Sequence, residues 1–151
     1  MKGIRVIPLR YRADGRGWFL EARRESWLDG RTVQTNVSFS RQGVIRGLHY
    51  HERGQDDLFV CLTGKARVVV LDRETGETFT ADIGSDNPAA VYIPGHYAHG
   101  FEALTDVLFC YHVTVEYDPA DPDEHDLPWD DPRVEHLWST STPILSPRDD
   151  S

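Results

Sequence analysis

Gly43-Val44-Ile45-Arg46-Gly47-Leu48-His49-Tyr50-His51 is the stretch that decides the fold. It places a cation and two histidines on one short segment, with two glycines that let the backbone pack closely. A second such segment, Ile93-Pro94-Gly95-His96-Tyr97-Ala98-His99-Gly100-Phe101, follows about one small barrel's worth of strands later. Two histidine segments spaced in this way suit a double-stranded β-helix, or jelly roll, which builds one pocket from separate parts of the chain. His49 and His51 are two residues apart, so on a strand they face the same side.

Outward from these segments the chain reads as strands. Val33 to Phe39 alternates, with Val33, Thr35, Val37 and Phe39 set against Gln34, Asn36 and Ser38, the period of a half-buried strand. Leu58 to Leu62 is a short apolar run closed by the turn Thr63-Gly64-Lys65, and Ala66 to Leu71 is the next strand. Arg73 to Glu77 is a hairpin loop from which Thr78 to Ile83 returns, and Ala90 to Ile93 stops at Pro94-Gly95. Between Val107 and Val115 the residues Val107, Phe109, Tyr111, Val113 and Val115 share one face. Short strands punctuated by glycine and proline predict an all-β sandwich or barrel, while Glu21 to Leu28 offers at most two helical turns. The acidic, proline-bearing tail from Asp118 to Asp131 predicts surface loop. Trp129 and Trp138 are expected to pin it to the barrel, since an indole buries a large area at little cost in entropy.

At 151 residues the chain fits one domain with a modest core. The 16 basic and 25 acidic side chains leave a net charge of −9, which argues against nucleic-acid or anionic-membrane binding. A few converging arginines would still accommodate a small anionic ligand. The sequence has no long apolar run and no signal-peptide pattern, so a cytoplasmic protein is expected. Cys61 and Cys110 sit in apolar strand-like runs and read as buried thiols rather than a disulfide.

Two chemistries compete for the histidine segments. The pattern Gly-x5-His-x-His-x5-Asp-x6-Gly, with Pro-x4-His downstream, approximates the metal-binding pattern of cupins, the jelly-roll superfamily. It nominates His49, His51, Asp57 and His99 as ligands, and three imidazoles with one carboxylate suit a divalent transition metal such as iron, manganese, nickel or zinc. The rival is acid–base work without a cofactor. Here His49 is the base, oriented by a carboxylate, and Tyr111 on the inward face of its strand is the acid. His125 and His136, in the tail, read as surface or structural.

End to end, the chain resembles the dTDP-4-dehydrorhamnose 3,5-epimerase family, of cupin fold. The resemblance runs from Asp14 to Asp149. It is carried by Asp14 to Glu21, Gln34 to Ser40, Gly43 to His49, Ile93 to Phe101, Tyr111 to Tyr117, Trp129 to Pro132 and Leu145 to Asp149. It implies that His49 is the general base, that Asp149 pairs with it, and that Tyr111 lies opposite and delivers the proton. It implies substrate-binding roles for Arg46 at the diphosphate, and for Arg16, Phe19, Glu21, Gln34 and Asn36 at the nucleotide. His99 would stand near the sugar and Arg148 beside the dyad. It also implies a homodimer in which the N-terminal strand region, residues 1–30, is exchanged, and a tail, residues 118–151, that closes the pocket. The chain departs from the family pattern on one wall: His51 stands where glutamine is usual, Asp57 where the family has a lysine near the keto oxygen, an aspartate expected near Val68 is missing, and the Glu52–Asp56 loop is shorter. His51 and Asp57 complete the metal-like set. A third reading is a cupin that binds a sugar nucleotide without turning it over.

Overall fold

The structure is a computed structural model that describes residues 1–28 and 30–149. Asp29, within the N-terminal region, and Asp150 and Ser151, at the end of the tail, lie outside the described residues. Two five-stranded antiparallel sheets face one another. The first contains β1 (Arg5–Pro8), β9 (Ala89–Ile93), β6 (Asp57–Thr63), β11 (Val107–Val113) and β4 (Gln34–Ser40), in that order. The second contains β12 (His125–Asp126), β5 (Ile45–Tyr50), β10 (Ala98–Ala103), β7 (Lys65–Leu71) and β8 (Thr78–Gly84). A small hairpin, β2 (Arg12–Asp14) with β3 (Gly17–Phe19), stands apart from both sheets. This is the cupin jelly roll that the sequence predicts. The expected helix at Glu21 to Leu28 shrinks to one 3-10 turn, Glu25–Trp27, with no buried residue, so no apolar face rewards a longer helix.

Three apolar clusters hold the layers. Between the sheets, Phe59, Val68, Val70, Val91, Phe101, Val107 and Phe109 form the main core, in which Phe101 stacks on Phe109 at 3.9 Å between ring centroids. On the outer face of the second sheet, Ile45, Leu48, Val69, Leu71 and Ala98 are covered by Val134 and Trp138 from the tail. The Trp138 indole donates to the Trp129 carbonyl at 2.8 Å, so both tryptophans anchor the tail as expected. On the outer face of the first sheet, Leu58, Val60, Ala90, Tyr92 and Cys110 lie under Ile7, Leu9, Leu20, Ala22 and Leu28. Cys61 and Cys110 are free and buried, and burial pushes the Cys61 thiol up to about 11.

β4 shows a reversal. Its alternation is real, but the apolar set faces out: Val37 and Phe39 are both 59% exposed, and Val33, just before the strand, is 54% exposed. Gln34, Asn36 and Ser38 turn inward instead. β4 is also a sheet edge, paired among the described residues with β11 alone. A polar inner face here lines a cavity, and an apolar outer face on an edge strand invites a partner.

A bulge also positions the site. In the β5–β10 pair, His49 stands opposite His99 and Arg46 opposite Phe101, so two residues on β5, Gly47 and Leu48, match one on β10, Gly100. Gly47, at φ 130, permits it. A Cβ on Gly47 would sit 2.8 Å from the Gly100 Cα and 2.9 Å from the His99 carbonyl oxygen, so the strands meet closely at two glycines. Strict alternation would put residues 46 and 49 on opposite faces. The bulge lets Arg46 and His49 line one cavity.

Candidate active site

The cavity lies between the sheets beyond the Phe59–Phe101 end of the core. It measures about 230 Å³, and its lining includes Arg46, His49, His51, Asp57, His99, Tyr111, Arg148 and Asp149. It adjoins a wider cleft of about 580 Å³ that shares His51, Gln55, Tyr111 and Glu124 with it and adds Gln34, Asn36, Arg53 and Tyr117. Three elements bring the acid–base residues together. His49 comes from β5, Tyr111 from β11 in the facing sheet, and Asp149 from the end of the tail.

His49 Nε2 donates to Asp149 Oδ1 at 3.0 Å. The other carboxylate oxygen accepts from the Gly47 amide at 3.3 Å, and the Asp149 amide donates to Ser146 Oγ at 3.1 Å. The bulge at Gly47 therefore both aims His49 and holds its partner. Burial works against charge on Asp149, but the His49 and Gly47 hydrogen bonds outweigh it and keep the carboxyl below its usual range. With Nε2–H committed to a carboxylate, the imidazole lone pair is on Nδ1, which is the nitrogen able to take a proton. Tyr111 pairs across its strand with Phe59, their rings 6.1 Å apart. Burial, then the Asp57 and Glu124 charges, push its phenol up, so it keeps its proton through neutral pH.

The binding residues predicted from sequence divide into two groups. Arg46 lines the cavity, braced by Ser40 Oγ at 2.8 Å and the Phe39 carbonyl at 3.3 Å. Gln34 and Asn36 line the outer cleft, and the Gln34 amide donates to Asn36 Oδ1 at 3.0 Å. His99 is buried in the cavity wall, and Arg148 lines the cavity while bonding Asp126 at 3.0 Å and Glu124 at 2.9 Å. Arg16, Phe19 and Glu21 line neither cavity. Arg16 pairs with Asp14 on the small hairpin with its side chain 91% exposed, Phe19 projects from the same hairpin, and Glu21 pairs with Arg24 at 2.8 Å.

The four-ligand metal set does not assemble as the spacing suggested. His51, Asp57 and His99 cluster, but His49 joins a different group with Asp126 and Asp149. The reason is the tail: the Asp149 carboxylate holds His49 Nε2 at 3.0 Å, the nitrogen that groups with Asp126 and Asp149. The tail is also more than the surface loop predicted. β12 pairs with β5, placing Asp126 opposite His49 with its carboxylate 3.6 Å from Nε2, and Asp123 caps the Glu52 and Arg53 amides at 3.0 and 2.7 Å. Sequence reading missed Asp126 and Gln55, because one acid in an acidic run and one polar residue in a loop carry no pattern.

An imidazole–carboxylate dyad and a phenol on facing sheets of one jelly-roll cavity define a cupin-fold protein equipped for proton transfer. The chain belongs to the dTDP-4-dehydrorhamnose 3,5-epimerase family, whose model matches residues 1–151. The spore coat polysaccharide biosynthesis protein SpsL of Bacillus subtilis is 39% identical over 91% of this chain and 96% of its own length. Among solved structures, NovW, a 4-keto-6-deoxy sugar epimerase from the novobiocin gene cluster of Streptomyces spheroides, superimposes with a TM-score of 0.87 at 32% identity. That match covers 99% of this chain and 81% of NovW. The dTDP-6-deoxy-D-glucose-3,5-epimerase RmlC of Legionella pneumophila, in complex with dTDP-4-keto-L-rhamnose, gives 0.86 at 28% identity, over 99% of this chain and 86% of that one.

Proposed function

We propose that the protein is an epimerase of a dTDP-4-keto-6-deoxyhexose, inverting C3, C5 or both, in cytoplasmic deoxysugar biosynthesis. The observation that carries this reading is the His49–Asp149 dyad facing Tyr111 across one cavity. His49 Nδ1 takes the proton α to the ketone, and the C–H electron pair becomes the enolate. Asp149 offsets the charge gained by the imidazole. Tyr111 then gives its proton to the opposite face of that carbon, which inverts it. These transfers draw on side chains alone. Arg46 meets the diphosphate with charge-assisted hydrogen bonds, and the outer cleft beside Gln34 and Asn36 takes the nucleoside. The test is incubation with dTDP-4-keto-6-deoxyglucose in deuterated water, read by mass spectrometry and proton NMR. Deuterium at C3 or C5 is expected. Tight binding of the nucleotide sugar with no deuterium uptake would replace this reading with that of a non-catalytic binding protein.

The second part of the proposal is a homodimer. The outer cleft holds Asp118, Asp121, Asp123 and Glu124, and its Arg53 is already paired with Asp121 at 2.8 Å. A diphosphate entering it calls for further positive charge. Arg16 and Phe19 stand exposed on the β2–β3 hairpin, β4 exposes Val37 and Phe39, and Val33 just before it is exposed too. Packing this face on a second copy covers the apolar edge and lets the hairpin of one chain serve the cleft of the other. β1 is hydrogen-bonded to β9 of its own chain, so the hairpin is the part of residues 1–30 best placed to reach across. Light scattering is expected to give about twice the 17.2 kDa chain mass, with Val37→Glu plus Phe39→Glu reducing it to one chain. A wild-type monomer at micromolar concentration would refute the dimer.

A further inference from the structure

Three groups in the cavity wall take no part in the proton transfers. His51, Asp57 and His99 are all buried. They come from the residue after β5, the first residue of β6 and the second residue of β10. His99 Nε2 lies 3.1 Å from Asp57 Oδ2, and His51 Nε2 lies 3.7 Å from Asp57 Oδ1. One ligand atom from each residue lies within 4.8 Å of the other two. Donors held about 2.1 Å from a first-row metal ion stand roughly 3.0–3.4 Å apart, so closure needs only a small inward movement.

Both rings are aimed from behind. His51 Nδ1 donates to the Asp123 carbonyl at 2.7 Å, and His99 Nδ1 donates to the Tyr97 carbonyl at 2.8 Å. A main-chain acceptor behind each imidazole fixes the tautomer whose Nε2 lone pair points inward, the usual support of a metal-bound histidine. Two lone pairs and a carboxylate thus converge on one buried point, where they repel unless positive charge lies between them. The amide nitrogen of Gln55 already leans into this spot, 3.2 Å from His51 Nε2 and 3.1 Å from Asp57 Oδ1. A donor hydrogen there marks where a cation would go, and a loop side chain can turn aside.

We propose that His51 Nε2, the Asp57 carboxylate and His99 Nε2 form a site for a divalent first-row transition-metal ion. It is separate from the His49–Asp149 dyad and opens on the same cavity. Two imidazoles and one carboxylate suit zinc, iron, cobalt, manganese or nickel and leave coordination positions for other ligands. The site stands on its ligand geometry and not on the sugar chemistry, so it survives or fails independently of the epimerase reading.

The experiment uses full-length protein made without a histidine tag, stripped with chelator and titrated with Co2+. One Co2+ per chain is expected by equilibrium dialysis, with visible d–d bands that Zn2+ abolishes. Asp57→Asn and His51→Ala are expected to weaken binding by more than about 100-fold, and His49→Ala by less than about threefold. Circular dichroism establishes that each variant is folded, and if Asp57→Asn is not, the wild-type titration and His51→Ala decide. No Co2+ bound at millimolar metal, or wild-type affinity in the folded ligand variants, would overturn the site and leave protons as the charge shared within the cluster. Deuterium uptake by the wild-type enzyme is read separately and bears only on the epimerase.

Discussion

Replacing His49 with alanine is expected to abolish deuterium uptake from solvent into the keto sugar, by at least about 10³-fold, within the range for loss of a positioned general base. The size follows from the geometry. His49 is the imidazole of the cavity whose Nε2–H is fixed by a carboxylate, while the His51 and His99 Nε2 atoms face Asp57 instead. Asp149→Asn keeps the shape but loses the charge that steadies the imidazolium, so a smaller loss is expected, with binding of the nucleotide sugar unchanged. Tyr111→Phe is expected to separate two readouts. Proton removal by His49 continues, so some exchange survives, while net inversion drops further because the opposite face has lost its donor. The measurement is time-resolved mass spectrometry beside NMR of the product stereochemistry. Wild-type exchange within tenfold in His49→Ala would remove His49 from the role of base.

Gly95→Ala is expected to destabilise the fold by about 3 kcal/mol, lowering Tm by roughly 6–12 °C for a chain of this size. A methyl on Gly95 would land on the Gln55 carbonyl and 3.1 Å from His51 Cδ2. Neither neighbour can yield cheaply. The His51 amide donates to the Gly95 carbonyl at 2.7 Å, and the Gly95 amide donates to Asp56 Oδ1 at 3.0 Å, so the 51–56 loop and the Pro94-Gly95 turn are tied in both directions. Pushing them apart moves His51, Gln55 and Asp57 together, and Co2+ affinity should fall with stability. Gly15→Ala is the control: nothing lies within 4 Å of its added carbon, and a change within about 0.5 kcal/mol is expected. Thermal denaturation of the three proteins at one concentration measures this. Equal melting temperatures for Gly95→Ala and wild type would show that the loop and turn are not in the contact described.

Period-two alternation and turn residues predicted an all-β sandwich or barrel, because both are local consequences of backbone geometry; the two histidine segments and the family resemblance narrowed it to the jelly roll. Leu58 to Leu62, Ala66 to Leu71 and Thr78 to Ile83 lie inside the strands β6, β7 and β8, whose ends extend them by a residue or two. The candidate acid–base residues were legible too, though Asp149 was found only through a family resemblance, since its pairing with His49 spans 100 residues. Direction and assembly were not legible. Alternation along β4 does not say which face turns inward, and the structure turns Gln34 and Asn36 in and Val37 and Phe39 out. Spacing gave four metal ligands. The tail, by placing Asp149 and Asp126 against His49, took one of them away and left three. The bulge at Gly47 put Arg46 and His49 on the same wall against the strand period. Local sequence fixes φ, ψ and side-chain alternation over a few residues. Which side of a strand meets a cavity, and which carboxylate reaches which imidazole, depends on contacts between segments up to 100 residues apart, and only the packed sheets decide them.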